Sequence, residues 1–207
     1  MSASRRNAIV ALAALFAALA VLVAAGAFAR LDQLAVNHAM PGSSFKPAKT
    51  TLLNALVPLY HSSWHSGYDI AVNLVALPAG FLVALALVSL VSRVYALAVL
   101  AAVVVEALCK ETLVRPKLRH AGHHIGAFHA SFPSGHAARA VIVAVALGAL
   151  YPRLRSLLAV WVAATLALLV LAGWHTPSDL LGGVCLGALC AAGAGALGRR
   201  GLARGRP

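Results

Sequence analysis

The sequence predicts an all-α membrane protein in which six transmembrane helices form one bundle. Hydrophobic residues make up 61% of the 207 residues and charged residues only 11%, whereas a soluble domain carries about a quarter charged residues. Four stretches contain no Asp, Glu, Lys or Arg, and each is close to the roughly 20 residues that span a hydrocarbon core. These stretches cover residues 7–29, 70–92, 156–174 and 180–198.

Two further apolar stretches, 94–113 and 134–152, carry charge only toward one end. They complete a set of six spans in a single domain that covers residues 1–207. The predicted spans lie near residues 8–29, 70–92, 94–113, 134–152, 156–174 and 179–198. A cleaved signal peptide is the alternative for the first span, but its apolar run is too long and no convincing cleavage site follows it.

The longest loop between predicted spans, residues 30–69, contains two short amphipathic segments. These segments are Leu31–His38 and Thr50–Leu59, separated by Pro41-Gly42. We expect each to form a short helix at the outer membrane surface. Three aromatic residues follow just before the second span: Tyr60, Trp64 and Tyr68. Aromatic rings suit the membrane interface, and the sharper alternative is that they line a lateral opening for a lipid.

The net charge of +12 is distributed as in a membrane protein and not as in a nucleic-acid-binding protein. If the chain crosses six times, nine arginines fall on one side: Arg5, Arg6, Arg93, Arg153, Arg155, Arg199, Arg200, Arg204 and Arg206. By the positive-inside rule that side is cytoplasmic. We therefore expect an integral plasma (inner) membrane protein with both termini in the cytoplasm and no nucleic-acid partner. All nine histidines and all five acidic residues then lie on or near the outer side.

Chemically active residues cluster at two predicted helix starts on that outer side. At the first, Pro133–His136 joins a polar, His-rich segment to the fourth span. At the second, Thr176 is a good N-cap and Pro177 a good first helical residue. Asp179 then falls at the third helical position, four residues after His175.

These helix starts, with the cations upstream of them, have what phosphoryl transfer requires. The reaction needs positioning, neutralised phosphate oxygens, an in-line nucleophile and a proton for the leaving group. Lys110 and the cations of the following loop supply positive charge, and the Ser-Gly pair of the fourth span supplies a hydroxyl and free backbone N–H groups. His136 and His175 can divide the roles of nucleophile and acid. Asp179 can hold one of them in the right tautomer.

The order of these motifs resembles that of the type 2 phosphatidic acid phosphatase superfamily of integral membrane lipid phosphatases. The order is Lys110 and a basic-Pro pair, then Pro133–His136, then His175-x-x-x-Asp179. The resemblance implies that His175 is the nucleophile and forms a phosphohistidine. It also implies that Asp179 orients this histidine and that His136 protonates the leaving oxygen.

The same resemblance implies a phosphate site without a metal. Lys110, Ser134 and the amide of Gly135 correspond to the family's phosphate ligands. No metal ion and no other cofactor is expected. The substrate that the resemblance implies is a phosphorylated lipid.

Two departures from the family's motifs affect this predicted phosphate site. The family has Lys, six residues, then Arg-Pro, but in this chain that spacing from Lys110 leads to Lys117, and the Arg-Pro pair at Arg115 comes two residues early. Either Lys117 replaces the arginine, or Arg115 reaches in from a shifted loop, which the bidentate fork of an arginine favours. The third motif normally carries Ser-Arg before its histidine, where this chain has Leu168 and Leu169.

Arg139 is our candidate for the missing phosphate-binding cation. It lies three residues after His136, so that the two side chains share a helix face. A charge this far into a span is costly and usually functional, and the alternative is an arginine that snorkels to the outer interface. Glu106, four residues before Lys110, is expected to form an ion pair that positions the lysine, with a purely structural pair as the alternative.

The remaining polar residues carry weaker signals. Four histidines lie in the loop 114–133, which has no helix or strand pattern: His120, His123, His124 and His129. We expect them to contact solvent or a substrate head group, with metal binding as the weaker alternative. The three cysteines fall inside predicted spans at no metal-binding spacing and are expected to serve as small packing residues.

Together these features predict a membrane lipid phosphatase whose site faces the extracytoplasmic side. By resemblance, the substrate is of the polyprenyl diphosphate or glycerophospholipid phosphate type. One alternative is a lipid phosphotransferase that passes the phosphoryl group to another lipid. The other is a catalytically impaired lipid-binding or transport protein, which the missing arginine at Leu169 and the irregular first motif motivate.

Overall fold

The computed structural model describes residues 3–40, 68–120, 123–125 and 128–204. Within these residues, eight α-helices carry most of the chain, so the helical class that the sequence predicts is confirmed. The helices are α1 (Ala3–Ala24), α2 (Ala29–His38), α3 (Tyr68–Val75), α4 (Phe81–Val91), α5 (Arg93–Thr112), α6 (Gly135–Leu150), α7 (Arg155–Leu171) and α8 (Pro177–Arg204). Short 3-10 helices, Leu77–Ala79 and Pro152–Leu154, precede α4 and α7.

Three of the described helical segments are long and apolar enough to cross a membrane: Ala3–Ala24, Pro152–Leu171 and Pro177–Gly198. Helices α4 and α6 are apolar but shorter, with 11 and 16 residues. Helix α5 has 20 residues, but four of them are charged. The apolar helices therefore indicate a membrane protein, and the count of six spans stays a prediction.

The predicted span 70–92 is two helices and not one. Helix α3 ends at Val75, and a 3-10 turn with Pro78 at its centre separates it from α4. The break follows from the sequence, because proline lacks the N–H that a helix interior needs. It also leaves the backbone carbonyl of Ala79 available, which accepts a hydrogen bond of 2.7 Å from Nε of Arg139.

The loop 114–133, for which the sequence predicts no regular structure, contains a small antiparallel hairpin. Its strands are β1 (Leu118–His120) and β2 (His123–Ile125), with Leu118 opposite Ile125. These two side chains are buried and pack with Val36 of α2 and with Phe128. A strand alternates its side chains between two faces, so a pair of apolar residues at the outer ends is enough to attach this short hairpin to the helices.

Helix α2 covers the first short segment that the sequence predicts in the outer loop, and it supports the hairpin. The amide of Gln33 accepts from the backbone N–H of Arg119 at 2.8 Å and donates to its carbonyl at 2.6 Å. The Gln33 side chain thus forms, at the free edge of β1, hydrogen bonds that a third strand would otherwise form. The second short segment, Thr50–Leu59, lies outside the described residues.

Helix α6 lies at the centre of the fold and positions the candidate site. Nine of its 16 residues are buried, and it packs against α4, α5, α7 and α8. Its backbone approaches α8 closely, because Gly183 and Gly187 lie against the carbonyl oxygens of Ser134 and Ala138. A Cβ at either glycine would collide with those carbonyls. The first turn of α6 is thereby held beside the first turn of α8.

Candidate active site

The two helix starts that the sequence singles out meet in the structure. Ser134 is the N-cap of α6, and its Oγ accepts a hydrogen bond of 3.3 Å from the backbone N–H of Ala137. The backbone N–H of Ser134 donates to the carbonyl of Asp179 at 2.9 Å. Segments 45 residues apart in sequence are therefore joined directly by a backbone hydrogen bond.

The start of α8 is capped by the carboxylate of Asp179. Helix α8 begins at Pro177, so that Thr176 is the residue before it and Asp179 stands in the first turn. The Asp179 carboxylate accepts the backbone N–H of Thr176 at 3.0 Å, which is the return half of a capping box. The same oxygen, Oδ2, lies 3.5 Å from Nδ1 of His175. This contact leaves Nε2 of the histidine as the ring nitrogen directed away from the carboxylate.

The two predicted catalytic histidines lie next to each other. The ring centroids of His136 and His175 are 6.5 Å apart, with 56° between the ring planes. Trp174 packs edge-on against His136, with 5.8 Å between ring centroids. At this separation the two imidazoles are direct neighbours. Both rings therefore border the same site.

Leu169 stands where the resemblance implies a phosphate-binding arginine. Its side chain is fully buried in an apolar cluster. Its backbone carbonyl accepts hydrogen bonds from Trp174 at 3.0 Å and from His175 at 3.2 Å. The position therefore shapes the turn that carries His175, while the positive charge that the family has here is missing.

Arg115, a predicted phosphate ligand, has its guanidinium committed to protein groups. The residue is 5% exposed. It donates to five partners at 2.6 to 3.1 Å: the carbonyl of Phe128, the carboxylate of Asp32 and the hydroxyls of Ser131, Thr176 and Ser178. Its Nη1 also lies 3.3 Å from Oδ1 of Asp179. In this structure the Arg115 guanidinium faces the Asp179 carboxylate and lies buried among protein acceptors.

Asp32 and Ser131 belong to the same buried network, and neither is among the site residues that the sequence predicts. Asp32, on α2, accepts from the backbone and hydroxyl of Ser178 at 3.0 and 2.6 Å. Burial raises the pKa of its carboxyl above the ordinary aspartate value, against the opposing effect of the Ser178 donors and Arg115. Ser131 donates to Asp179 at 2.8 Å. Asp32 could have been found as one of only five acidic residues in a largely apolar chain.

A second charged cluster lies at the first turn of α6. Glu106 binds Lys110 through Oε1 at 2.6 Å, as the sequence analysis expects, and binds Nη1 of Arg139 through Oε2 at 2.9 Å. Arg139 is 5% exposed. The Glu106 carboxylate lies directly against Gly135, where a Cβ would overlap it. The structure thus brings Lys110 and Arg139 together beside the helix start, with a carboxylate between them.

Lys117 lies apart from both clusters. Its side chain is exposed and lines an open groove of about 460 Å³ between α2 and β1, together with Arg30 and Arg119. His129 approaches the Arg115 carbonyl through Nδ1 at 3.0 Å, and His124 is exposed on β2. Among the residues that the structure describes, no group of three or more His, Cys, Asp or Glu has an arrangement for a metal ion.

The family of the chain follows from a comparison with protein-family models. The model of the PAP2 superfamily matches residues 92–198, which is more than half of the chain. The protein belongs to this superfamily, whose members are phosphatases that act on phosphorylated substrates. The resemblance inferred from the motifs is thereby confirmed. None of the curated proteins and none of the solved structures compared with the chain matches it.

Proposed function

We propose that this protein is a membrane lipid phosphatase that acts through a phosphohistidine on the extracytoplasmic face. The observation that carries the proposal is the 6.5 Å pair of His136 and His175, with Asp179 behind the second ring. The substrate is a lipid with a terminal phosphate, of the polyprenyl diphosphate or glycerophospholipid phosphate type. Its apolar tail lies among the helices while the phosphate reaches the two helix starts.

The first chemical step forms a bond between His175 and phosphorus. Nε2 of His175 attacks, and the bond from phosphorus to the leaving oxygen breaks. His136 gives its proton to that oxygen, so that the dephosphorylated product departs neutral at this atom. Asp179 accepts the Nδ1–H of His175, which keeps Nε2 unprotonated for attack and stabilises the positive charge that develops on the ring.

The second step returns the enzyme to its starting state. Water attacks phosphorus, and His136, now neutral, accepts its proton. The bond between phosphorus and His175 breaks, and inorganic phosphate leaves. One histidine thus acts as acid and then as base, as microscopic reversibility requires.

The phosphate oxygens are held by groups around the first turn of α6. The helix start offers the backbone N–H of Gly135, the hydroxyl of Ser134 and the positive end of the helix dipole. Lys110 and Arg139 add two positive charges on one side of this turn. Because the donors of Arg115 are taken by protein groups, we assign it the positioning of Asp179 and the α8 cap. Lys117 is then a contact for a head group outside the reacting centre.

The proposed topology places the site on the outer side of the plasma membrane and both termini in the cytoplasm. Six spans with α2 at the outer surface satisfy the positive-inside rule for the arginines of the chain. The basic turn that carries Arg153 and Arg155 follows the far end of α6. With 16 residues at 1.5 Å per residue, that end lies about 24 Å from the helix start. We therefore assign the two ends of α6 to opposite sides of the membrane.

The decisive test is phosphate release by the purified protein in detergent. The substrate panel contains polyprenyl diphosphates and glycerophospholipid phosphates, each offered as the only lipid. We expect release from at least one of them, and we expect His175→Ala to reduce it about 1000-fold or more, because the nucleophile is lost.

His124→Ala is the matched control, because it removes an exposed histidine of the same outer loop. It should retain the parent rate, and a labelled phosphoryl group should be trapped on the parent but not on His175→Ala. Equal phosphate release from His175→Ala and the parent would exclude the proposed mechanism.

A further inference from the structure

The Glu106 carboxylate occupies a position that an anion-binding site would keep for its ligand. One oxygen is 2.6 Å from Nζ of Lys110 and the other is 2.9 Å from Nη1 of Arg139. These are the two cations assigned above to the substrate phosphate. A carboxylate is itself an anion with oxygen acceptors, and it satisfies the same donors that a phosphate would use.

The carboxylate also lies against the start of α6. A Cβ at Gly135 would overlap both of its oxygens and its carboxyl carbon. A side chain at position 135 would therefore displace the Glu106 carboxylate from the helix start. The carboxylate thus borders the helix start and both cations.

The net charge of this cluster affects how tightly it binds phosphate. Lys110 and Arg139 contribute two positive charges and Glu106 one negative charge, so that the cluster carries one net positive charge. Without the carboxylate, two uncompensated cations and a helix start would face the phosphate dianion. Such a site would bind the released phosphate tightly, and product release limits the turnover of many enzymes.

We propose that Glu106 is a resident anion of the phosphate site, which weakens the hold of Lys110 and Arg139 on inorganic phosphate. This inference rests on the phosphate site of the proposed function. Glu106 acts through the two cations and is therefore a positioning residue. Phosphate and the Glu106 carboxylate compete for the donors of Lys110 and Arg139. When the product leaves, these donors bind the carboxylate again.

The test is the affinity for inorganic phosphate, measured from the rise in unfolding temperature of the purified protein in detergent. A ligand that binds only the folded state raises this temperature in a concentration-dependent way. We expect Glu106→Gln to bind phosphate about tenfold more tightly than the parent, because a charge a few ångströms from the site is removed. The same variant should show stronger product inhibition by phosphate in the release assay.

Glu111→Gln is the matched control, because it removes the same charge from an exposed residue five positions further along α5. Its phosphate affinity should stay within about twofold of the parent, since an exposed charge is screened by solvent and salt. An affinity of Glu106→Gln that equals that of the parent or is weaker would overturn the inference. If the unfolding temperature of the parent protein does not change with phosphate concentration, the protein lacks the phosphate site, and the proposed function is wrong.

A second pair of variants covers the case in which Glu106→Gln does not fold. Arg139→Gln leaves Glu106 with Lys110 alone and should weaken phosphate binding. Adding Glu106→Gln to Arg139→Gln removes both buried charges together, which proteins tolerate better than the loss of one partner. The double variant should bind phosphate about tenfold more tightly than Arg139→Gln. No gain, or a further loss, would show that the carboxylate does not compete with phosphate.

Discussion

Arg115 has a different role in this structure from the one its motif predicts. Its guanidinium joins Asp32 on α2 to Asp179 on α8, and the two carboxylates lie 3.1 and 3.3 Å from the same Nη1. A buried arginine with two carboxylates and three hydroxyl partners is well compensated, so removal of any one member leaves another without its partner. The position of Asp179, and through it that of His175, therefore depends on Asp32 of α2.

Arg115→Lys tests whether this arginine serves the carboxylate or the substrate. A lysine keeps the charge but cannot donate to five groups in one plane. We expect kcat to fall about 100-fold, because Asp179 loses its fixed position and the nucleophile is misplaced. The affinity for inorganic phosphate, measured by the same thermal shift, should stay within about threefold of the parent, since the Arg115 guanidinium is directed to protein acceptors.

Arg119→Lys is the control for this prediction, because Arg119 is an exposed arginine on the nearby strand β1. It should match the parent in both measurements. If Arg115→Lys instead loses about tenfold or more in phosphate affinity with kcat preserved, the arginine is a substrate ligand, and the positioning role is wrong.

Helices α6 and α8 act as one unit in holding the site. The Ser134 amide donates to the Asp179 carbonyl, and the same stretch of α8 presents Gly183 to the Ser134 carbonyl. Each helix start thus fixes the other, although each was recognisable from the sequence by its own capping residues. A shift of one helix along the other would separate the two histidines even if both helices stayed intact.

Gly183→Ala is expected to disrupt this unit. The added methyl group meets the Ser134 carbonyl and the side chain of Ala137, and overpacking of this kind costs about 1–3 kcal/mol. We expect a lower unfolding temperature in detergent and a fall in phosphate release. Gly193→Ala, also on α8, has no atom within 4 Å of the new methyl group and should leave both measurements unchanged. A Gly183→Ala protein as stable and active as the parent would contradict the close packing of the two helix starts.

Over the whole molecule, the sequence predicts those features whose causes are local. The cap at Thr176, the first-turn position of Asp179 and the start of α6 all follow from neighbouring residues. The link from Asp32 to Arg115 could not be predicted, because it joins residues 83 positions apart. The hairpin was not predicted because, in strands of three residues, the alternation of apolar and polar side chains is too short to recognise. Pro78 indicates a helix break in the sequence. It lies inside an apolar run long enough to span a membrane, so the run was interpreted as one helix.

The position of the site across the membrane depends on α6 and not on the total number of spans. His136 lies at the start of this helix, beside His175, and Arg155 donates through Nε to the carbonyl of Gly148 in its last turn at 3.0 Å. The two ends are about 24 Å apart by helix geometry. Arg153 and Arg155 follow one end of this apolar helix, and His136 lies at the other end. By the positive-inside rule, we expect the arginines in the cytoplasm and the histidine on the opposite side.

Labelling with a membrane-impermeant thiol reagent tests this orientation. In a protein whose three cysteines are replaced by alanine, His124→Cys adds an exposed thiol on the hairpin and Arg153→Cys adds one at the basic turn. In cells with an intact plasma membrane, we expect the reagent to label His124→Cys and to spare Arg153→Cys. After permeabilisation both should react, which controls for accessibility of the thiols. Labelling of Arg153→Cys alone in intact cells would invert the topology and place the phosphatase site in the cytoplasm, where a different lipid pool would supply its substrate.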